Sequence, residues 1–542
     1  MPKLRTPARV PILGKLSWAV RWRLRQWQHS RRLQALAAEV QQRAPAPQTA
    51  PVVFFNASAR LQGMSQNAAF ALLAGWALRM AGTPVVHFTC RAGMTRCVLG
   101  TQRTQIGKPP PCAACIQQSR KAFAGADVHW FQDEPDPALE KAIAHLSLSE
   151  MMHYRREGMP LGELVLPALR WVLRRHTLEG DSATCFLFRR YIAAAWQIAR
   201  DFGKLLDEVK PLKVVVFNGT FYPEAAARWA ARKRGIPVIS HEVALRPYTA
   251  YFTRGDATAY PIDIPAEFEL STEQNLRLDA YLEQRFQGNF SMAGVRFWPE
   301  MKPLSPEFLE RVAQFRQVVP VFTNVVFDTS QGHANVVFAH MFAWLDAVLQ
   351  LVKAHPETFF VIRAHPDETR PGKESLESVA MWVNHNEVDR LSNVLFVDSR
   401  QYFSSYELIQ RSKFVMVYNS TIGLEAALMG AVVLCAGKAR FTQLPTVFFP
   451  QSQNEFLRQA EQFLAADEVE PLPEHRQNAR RFLYYQLFKT SLPFDCFIEE
   501  DEIRQGYVQF KEFSLDALSP ERSPVFKILI EGLLGAGDFL KE

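Results

Sequence analysis

No stretch of this chain approaches the roughly 20 uninterrupted apolar residues that a membrane span needs. The best run, Ala68 to Leu78, is stopped by Arg79 after eleven residues. The basic start is not followed by an apolar core and a small-residue cleavage site, so no secretory signal is expected. The expected location is cytoplasmic, with room for peripheral attachment to the inner face of the plasma membrane. No low-complexity tract and no internal repeat is visible at periods of about 20–50 residues, which argues against a repeat architecture. Cysteines are few, seven in 542 residues, and a cytosolic compartment disfavours pairing them as disulfides. Hydrophobic residues make up 48% and charged residues 22%, as in ordinary globular proteins. A chain of 542 residues is too long for one core, so two domains plus extras are expected.

Acid is nearly missing from the beginning of the chain. Residues 1–45 hold ten Lys or Arg (Lys3, Arg5, Arg9, Lys15, Arg21, Arg23, Arg25, Arg31, Arg32, Arg43) against Glu39 alone. This arm carries +9 of a net +7, so the remaining residues carry −2 and the body is close to neutral. Trp18, Trp22 and Trp27 lie among these charges. Tryptophan suits the bilayer interface and arginine the headgroup phosphates, so an anionic membrane surface is one partner read from the arm. An exposed basic helix packed on its own domain through the tryptophans is the other reading. Nucleic acid is not expected, because no nucleic-acid fold signature accompanies the charge.

Residues 1–50 read as a basic amphipathic arm that ends in the linker Ala44–Pro51. Residues 51–290 then alternate strand and helix. Val52–Phe55, Pro84–Thr89, Lys213–Phe217 and Pro237–Ser240 are strand candidates, Gln66–Met80 is a helix, and Pro223-Glu224 opens another. Residues 291–318 break into a connection. A second alternating series fills 319–465, with strands Val318–Thr323, Phe359–Ala364, Val394–Val397, Phe414–Tyr418 and Val432–Cys435. Residues 466–542 look helical, a tail expected to brace the first domain. The fold class is α/β, two Rossmann-like doubly wound domains, with ligands expected outside the carboxyl ends of the strands.

The chemistry is densest in the second series. Arg363 and His365 are two apart, so in a strand they share a face, followed by Pro366, Asp367 and Glu368. The planar fork of arginine suits phosphate, and His adds a donor. Tyr418-Asn419-Ser420-Thr421-Ile422-Gly423-Leu424-Glu425 falls at a strand-to-helix junction. Hydroxyls and backbone N–H groups there favour an anion, Gly423 allows close approach, and Glu425 one turn on can hold ribose hydroxyls. Ser420 or Thr421 can equally be a plain helix cap.

In order and spacing, Thr323-Asn324, then Arg363-Ala-His365-Pro366-Asp-Glu368, then Ser404-Ser405-Tyr406, then Asn419-Ser420-Thr421-Ile-Gly423-Leu-Glu425 resemble the signature series of capsule-polysaccharide biosynthesis glycosyltransferases. The His-Pro pair and the Ser/Thr pair are also similar to bacterial sialyl-, Kdo- and glycerolphosphate transferases. The resemblance runs from Phe322 to Gly437, with weaker echoes at Asn218–Glu224 and His241-Glu242. It implies the GT-B architecture, in which the two domains face each other across a cleft. It also implies that His365, Ser420 and Thr421 hold the donor's phosphate and that Glu425 holds its ribose. Thr323, Asn324, Arg363, Glu368, Ser404, Tyr406, Asn419 and Gly423 complete the expected donor site. The implied activity transfers a sugar from a nucleotide-sugar donor to a polysaccharide or glycolipid acceptor, with no metal in catalysis. A CDP-polyol-phosphate transferase and a catalytically inactive scaffold of polysaccharide assembly are the alternatives.

If transfer inverts configuration, a base is required. Glu242 and His241, near the end of a first-domain strand, come first, and Glu224 follows. Glu224 can also simply open its helix, where a carboxylate suits the dipole. Cys90, Cys97, Cys112 and Cys115 lie in a loop bearing Gly and Pro and close on a Cys-x2-Cys. Four thiols so spaced suggest one structural zinc. Free buried thiols, or an iron–sulfur or redox pairing, remain open.

Overall fold

The computed structural model describes residues 12–57, 63–287, 303–501 and 506–541. Of the side chains of 12–19 nothing is described. Lys3, Arg5 and Arg9, the side chains of Lys15 and Trp18, and residues 291–302 of the expected linker 291–318 therefore lie outside the described residues. These fall into two compact units. One runs to Leu173, takes in Leu178–Tyr260 and resumes at Leu487; the other is Arg174–Thr177 with Pro261–Gln486.

The first unit is built on the strands β1 (Val52–Asn56), β2 (Val85–Cys90), β3 (Asp127–Phe131), β4 (Lys213–Phe217), β5 (Val238–Val243) and β6 (Thr249–Thr253). Runs such as Val-Val-Phe-Phe and Lys-Val-Val-Val-Phe suit a strand that is buried on both faces. The sheet order is β3-β2-β1-β4-β5-β6, closed by a short strand from the end of the chain. It is parallel from β3 through β5, and β5 pairs antiparallel with β6. Alternate side chains go to opposite cores, as period two requires. Val53, Phe55, Val214 and Val216 join the helices Leu161–Leu173 and Ser182–Val209 on one face. Val52, Phe54 and Val215 join the helices Gln66–Met80 and Pro524–Leu534 on the other.

The second unit contains β7 (Gln317–Phe322), β8 (Thr358–Arg363), β9 (Val394–Val397), β10 (Val415–Val417) and β11 (Val433–Cys435). They are ordered β9-β8-β7-β10-β11 and every pairing is parallel. Both sheets thus share one plan. The chain winds outward from the first strand, returns, and winds outward on the other side. The order reverses between β1 and β4 in the first unit and between β7 and β10 in the second. A crevice at the carboxyl ends is expected at each such switch point. The doubly wound α/β class read from the sequence is what both units show.

Differences from the sequence reading are local. β3 was not anticipated, because Asp127, His129 and Trp130 give an edge strand no continuous apolar run. β5 extends to Val243, which places His241 and Glu242 inside the strand rather than after it. Of the expected tail, 466–486 stays with the second unit, and the chain from Leu487 joins the first with strands as well as helix. β12 (Leu492–Pro493) pairs with β6, and β13 (Ile498–Glu500) pairs with β14 (Val508–Phe510).

Candidate functional site

In the first unit, a cavity opens at the switch point. It is lined by Asn56 at the end of β1, Phe217 at the end of β4, His241 of β5, Ser65 and Asn67 where the helix Gln66–Met80 begins, and Glu224. Ser65 caps that helix by accepting the Ala68 N–H at 3.2 Å. Asn218 follows β4 with φ 60°, a left-handed conformation that Asn tolerates, and its side chain accepts the Thr220 N–H at 3.1 Å. The same turn aims the Asn218 amide at Glu242. Glu242 is held on both oxygens: Asn67 Nδ2 donates to Oε1 at 2.8 Å, Asn218 Nδ2 to Oε2 at 2.9 Å, and the Val243 N–H to Oε1 at 2.9 Å. His241 is packed between Phe217 and Phe252, and burial pushes its pKa down to about 3. It is therefore neutral and only a feeble base near pH 7. Glu224, 2% exposed, is the carboxylate that lines the cavity itself.

In the second unit, the ends of β10, β7 and β8 are tied edge to edge. Asn324 Nδ2 donates to Asn419 Oδ1 at 2.6 Å across the switch point, and Gln331 Nε2 donates to the same oxygen at 3.2 Å. The Thr323 hydroxyl donates to the Arg363 carbonyl oxygen at 2.9 Å. His365 is half-buried, and its Nδ1 accepts the Asp367 N–H at 3.1 Å. An Nδ1 that accepts leaves the proton of the neutral ring on Nε2, which becomes the donor. Burial lowers the pKa of His365, while Asp367 and Asp328 pull the other way. Thr421 is exposed, opens the helix Ile422–Leu428 and makes no side-chain capping bond, so its hydroxyl is not spent on the helix. Gly423 is required by space, since a Cβ there would sit 2.9 Å from Val417 Cγ2.

Other expected donor ligands are engaged by the protein. Arg363, 6% exposed, donates to the Phe403 carbonyl oxygen at 2.6 Å and to the Ser405 hydroxyl. Burial brings its pKa down to about 10, which leaves it cationic at neutral pH. Ser404 caps the helix Ser405–Gln410. Glu368 is buried, accepts the Val379 N–H at 3.1 Å, and is pushed up to about 8 by that burial. Glu425 accepts from Arg285 Nη2 at 2.6 Å and from the Tyr406 hydroxyl at 2.5 Å.

Residues 313–461 match the capsule polysaccharide biosynthesis protein family. This segment contains every strand of the second unit's sheet and every residue of the expected donor site. The resemblance read from the sequence is thereby borne out over the capsule-synthesis segment. No curated protein matches the chain. Solved structures with some likeness include the Thermosulfurimonas dismutans KpsC beta Kdo 2,4 transferase, at 13% identity and TM-score 0.33, covering 52% of this chain and 80% of that one. The beta Kdo 2,7 transferase of the same protein gives 13% and 0.32, covering 55% and 84%. The UDP-GlcNAc 2-epimerase from Neisseria meningitidis gives 15% and 0.24, covering 60% and 88%.

The structure thus separates two groups of expected residues in the capsule-synthesis segment. Thr323, Asn324, His365, Asn419, Ser420 and Thr421 stand at the ends of three adjacent strands. Arg363, Glu368, Ser404, Tyr406 and Glu425 are held in buried contacts beneath or beside them. Gln331, Arg285 and Asn67 escaped the sequence reading. Gln331 lies in a polar stretch with no period, and nothing in the local sequence of Arg285 points to Glu425, 140 residues away.

Cys90, Cys97, Cys112 and Cys115 are not joined in disulfides. The Gly93 N–H donates to Cys90 Sγ and the Gly100 N–H to Cys97 Sγ, each at 3.2 Å. Cys112 and Cys115 lie on the first turn of the helix Cys112–Ala122. Burial pushes Cys97 up to about 12. The Gly100 N–H opposes this, and the sulfurs of Cys90, Cys115 and Cys112 add to it, so all four thiols share one neighbourhood. Among the described residues, no three or more Cys, His, Asp or Glu side chains already form a metal-holding set. No described helix is long and apolar enough to cross a membrane.

Proposed function

We propose that this chain is a glycosyltransferase of capsule assembly, moving a sugar from a nucleotide-sugar donor to a hydroxyl of a polysaccharide or glycolipid acceptor. The observation that carries the reading is the row Asn419–Asn324 and Thr323–Arg363 at the switch point of a segment matching the capsule family. That row stands beside a His365 whose Nε2 is set to donate. The donor's diphosphate or phosphate occupies this end of the second unit. His365 and the hydroxyls of Ser420 and Thr421 donate to its oxygens, stabilising the charge that grows as the bond from anomeric carbon to phosphate oxygen breaks. The groups that do this belong to the chain, so no metal is assigned a catalytic role.

The acceptor's hydroxyl enters the first unit's cavity. With inversion, the acceptor oxygen forms the new bond to the anomeric carbon and passes its proton to a carboxylate. Glu224 takes that role, because it lines the cavity. Glu242 is committed to Asn67, Asn218 and the Val243 N–H, and His241 is too weak a base. Glu242 then fixes the cavity wall through its two asparagines.

A thermal-shift screen of nucleoside diphosphates and CMP tests the donor half. A cognate nucleotide at 100 times its dissociation constant stabilises by about 2.7 kcal/mol. No stabilisation by any of them overturns it. Glu224→Gln should cut transfer by on the order of 10²–10⁴-fold and abolish the acidic limb of the pH profile. Glu242→Gln should cost less. Donor hydrolysis or transfer by the purified chain distinguishes this reading from an inactive scaffold.

A further inference from the structure

The helix Ile12–Arg43 has two faces, and only one belongs to the fold. Leu33, Leu36, Ala37 and Val40 are buried in the core shared with the helix Gln66–Met80 and with β13 and β14. Arg32 fastens the same stretch, donating to the Phe510 carbonyl oxygen at 2.8 Å and to Glu512 at 2.7 Å. Upstream, Val20 is 53% exposed, Leu24 53% and Trp27 55%. At about 100° per residue, these three fall within about 60° of each other, on the side opposite the buried row. Arg21 and Arg23 flank this exposed row, Arg31 lies in line with it, and all three are exposed. The Arg31 guanidinium stands 4.7 Å from the centre of the Trp27 ring.

We propose that Val20, Leu24 and Trp27, with Arg21, Arg23 and Arg31, form a docking face for an anionic lipid bilayer. The apolar row enters the headgroup boundary while the arginines meet lipid phosphates, the division of labour that interfacial helices use. The buried half of the same helix anchors this face to the first unit. Charge decides against a second copy of the chain as occupant. Residues 20–38 hold five arginines and no acid, and a symmetric dimer on this patch would set arginines against arginines. An acidic bilayer presents the complementary sign.

The test uses the full chain and two vesicle compositions, phosphatidylcholine alone and phosphatidylcholine containing phosphatidylglycerol. Co-sedimentation is expected with the anionic vesicles only, and to fall as salt rises. The triple variant R21E/R23E/R31E should bind them on the order of a hundred-fold more weakly. The variant L24S/W27S keeps every charge and should also lose binding, which a purely electrostatic contact would not show. All the altered side chains are exposed, so both variants should melt as wild type does, and their folding is checked that way. Equal binding to neutral vesicles, or unchanged binding by either variant, overturns the proposal. So does self-association that L24S/W27S abolishes while vesicles stay unbound, or retention of the chain on RNA in preference to vesicles.

Discussion

Arg285 and Glu425 form an ion pair inside the second unit, with Nη2 2.6 Å from Oε1 and side chains only 6% and 8% exposed. The other carboxylate oxygen accepts the Tyr406 hydroxyl. A carboxylate expected to hold ribose hydroxyls thus has both oxygens engaged by the protein. Its first effect is on the shape of the unit: it ties the helix Thr272–Phe286 to the helix Ile422–Leu428 that follows the switch point.

Removing one partner strands the other charge in the interior, at a cost of about 3–5 kcal/mol. Arg285→Ala and Glu425→Ala should each destabilise by this order in denaturant melts. The double variant Arg285→Met/Glu425→Leu, which removes both charges and keeps volume, should recover most of the loss. Nucleotide affinity of that double variant then isolates the ribose role. Wild-type affinity would make Glu425 purely structural, and a loss with the fold intact would restore it as a ligand.

His365 is expected to act through Nε2, because Nδ1 already accepts the Asp367 N–H. A hydrogen bond to a charged group contributes about 1.5–3 kcal/mol. His365→Ala should therefore weaken nucleotide binding by roughly 10–100-fold. Gln carries a donor amide near the position of Nε2 and should retain part of the affinity, whereas Phe should not. Calorimetric titration of the three variants decides it, and equal affinity in all three would remove His365 from the site.

Much of this architecture was legible because its cause is local. The runs Val52–Phe55 and Lys213–Phe217 in the first unit, and Val318–Thr323 and Phe359–Ala364 in the second, are apolar enough to announce buried parallel strands. The switch-point segments stand out as polar residues at the end of such runs. What could not be read is long-range. Asn67 and Glu242 meet across 175 residues, and Arg285 and Glu425 across 140, with no periodicity to pair them. Direction was also hidden: Arg363 and His365 share a strand face in the sequence, yet Arg363 turns to Phe403 and Ser405 while His365 caps its own turn.

Glu368 gives the fold a pH dependence of definite sign. Its folded pKa of about 8 lies above the ordinary 4.5, with burial as the main cause. Between those values the folded chain keeps a proton that the unfolded chain has released. The stabilisation is complete below the ordinary value and is lost as pH rises through the folded one. Glu368→Gln removes the titration and keeps an oxygen for the Val379 N–H. At about 1.4 kcal/mol per pKa unit, a rise from 4.5 to about 8 means the variant should gain about 5 kcal/mol relative to wild type as pH goes from 4.5 to 8.5. Parallel stability curves for the two proteins would show that Glu368 is not protonated in the fold.

The four thiols of the first unit yield the last prediction. Three other sulfurs act electrostatically on Cys97, and glycine N–H groups already point at two of the four. Burial raises the thiols of Cys90, Cys97 and Cys112, that of Cys97 to about 12. Four thiolates would complete the closed tetrahedron of a structural zinc. Zinc must displace the thiol protons, so affinity should fall as pH falls. Protein purified without added metal should contain about one zinc per chain by elemental analysis, with the metal lost in Cys112→Ser. A thiol reagent at pH 8 should label exposed Cys496 at once and reach the four only after a chelator is added. Absence of metal, with Cys112 and Cys115 labelled as fast in the untreated protein as in the chelated one, would leave them as ordinary packed cysteines.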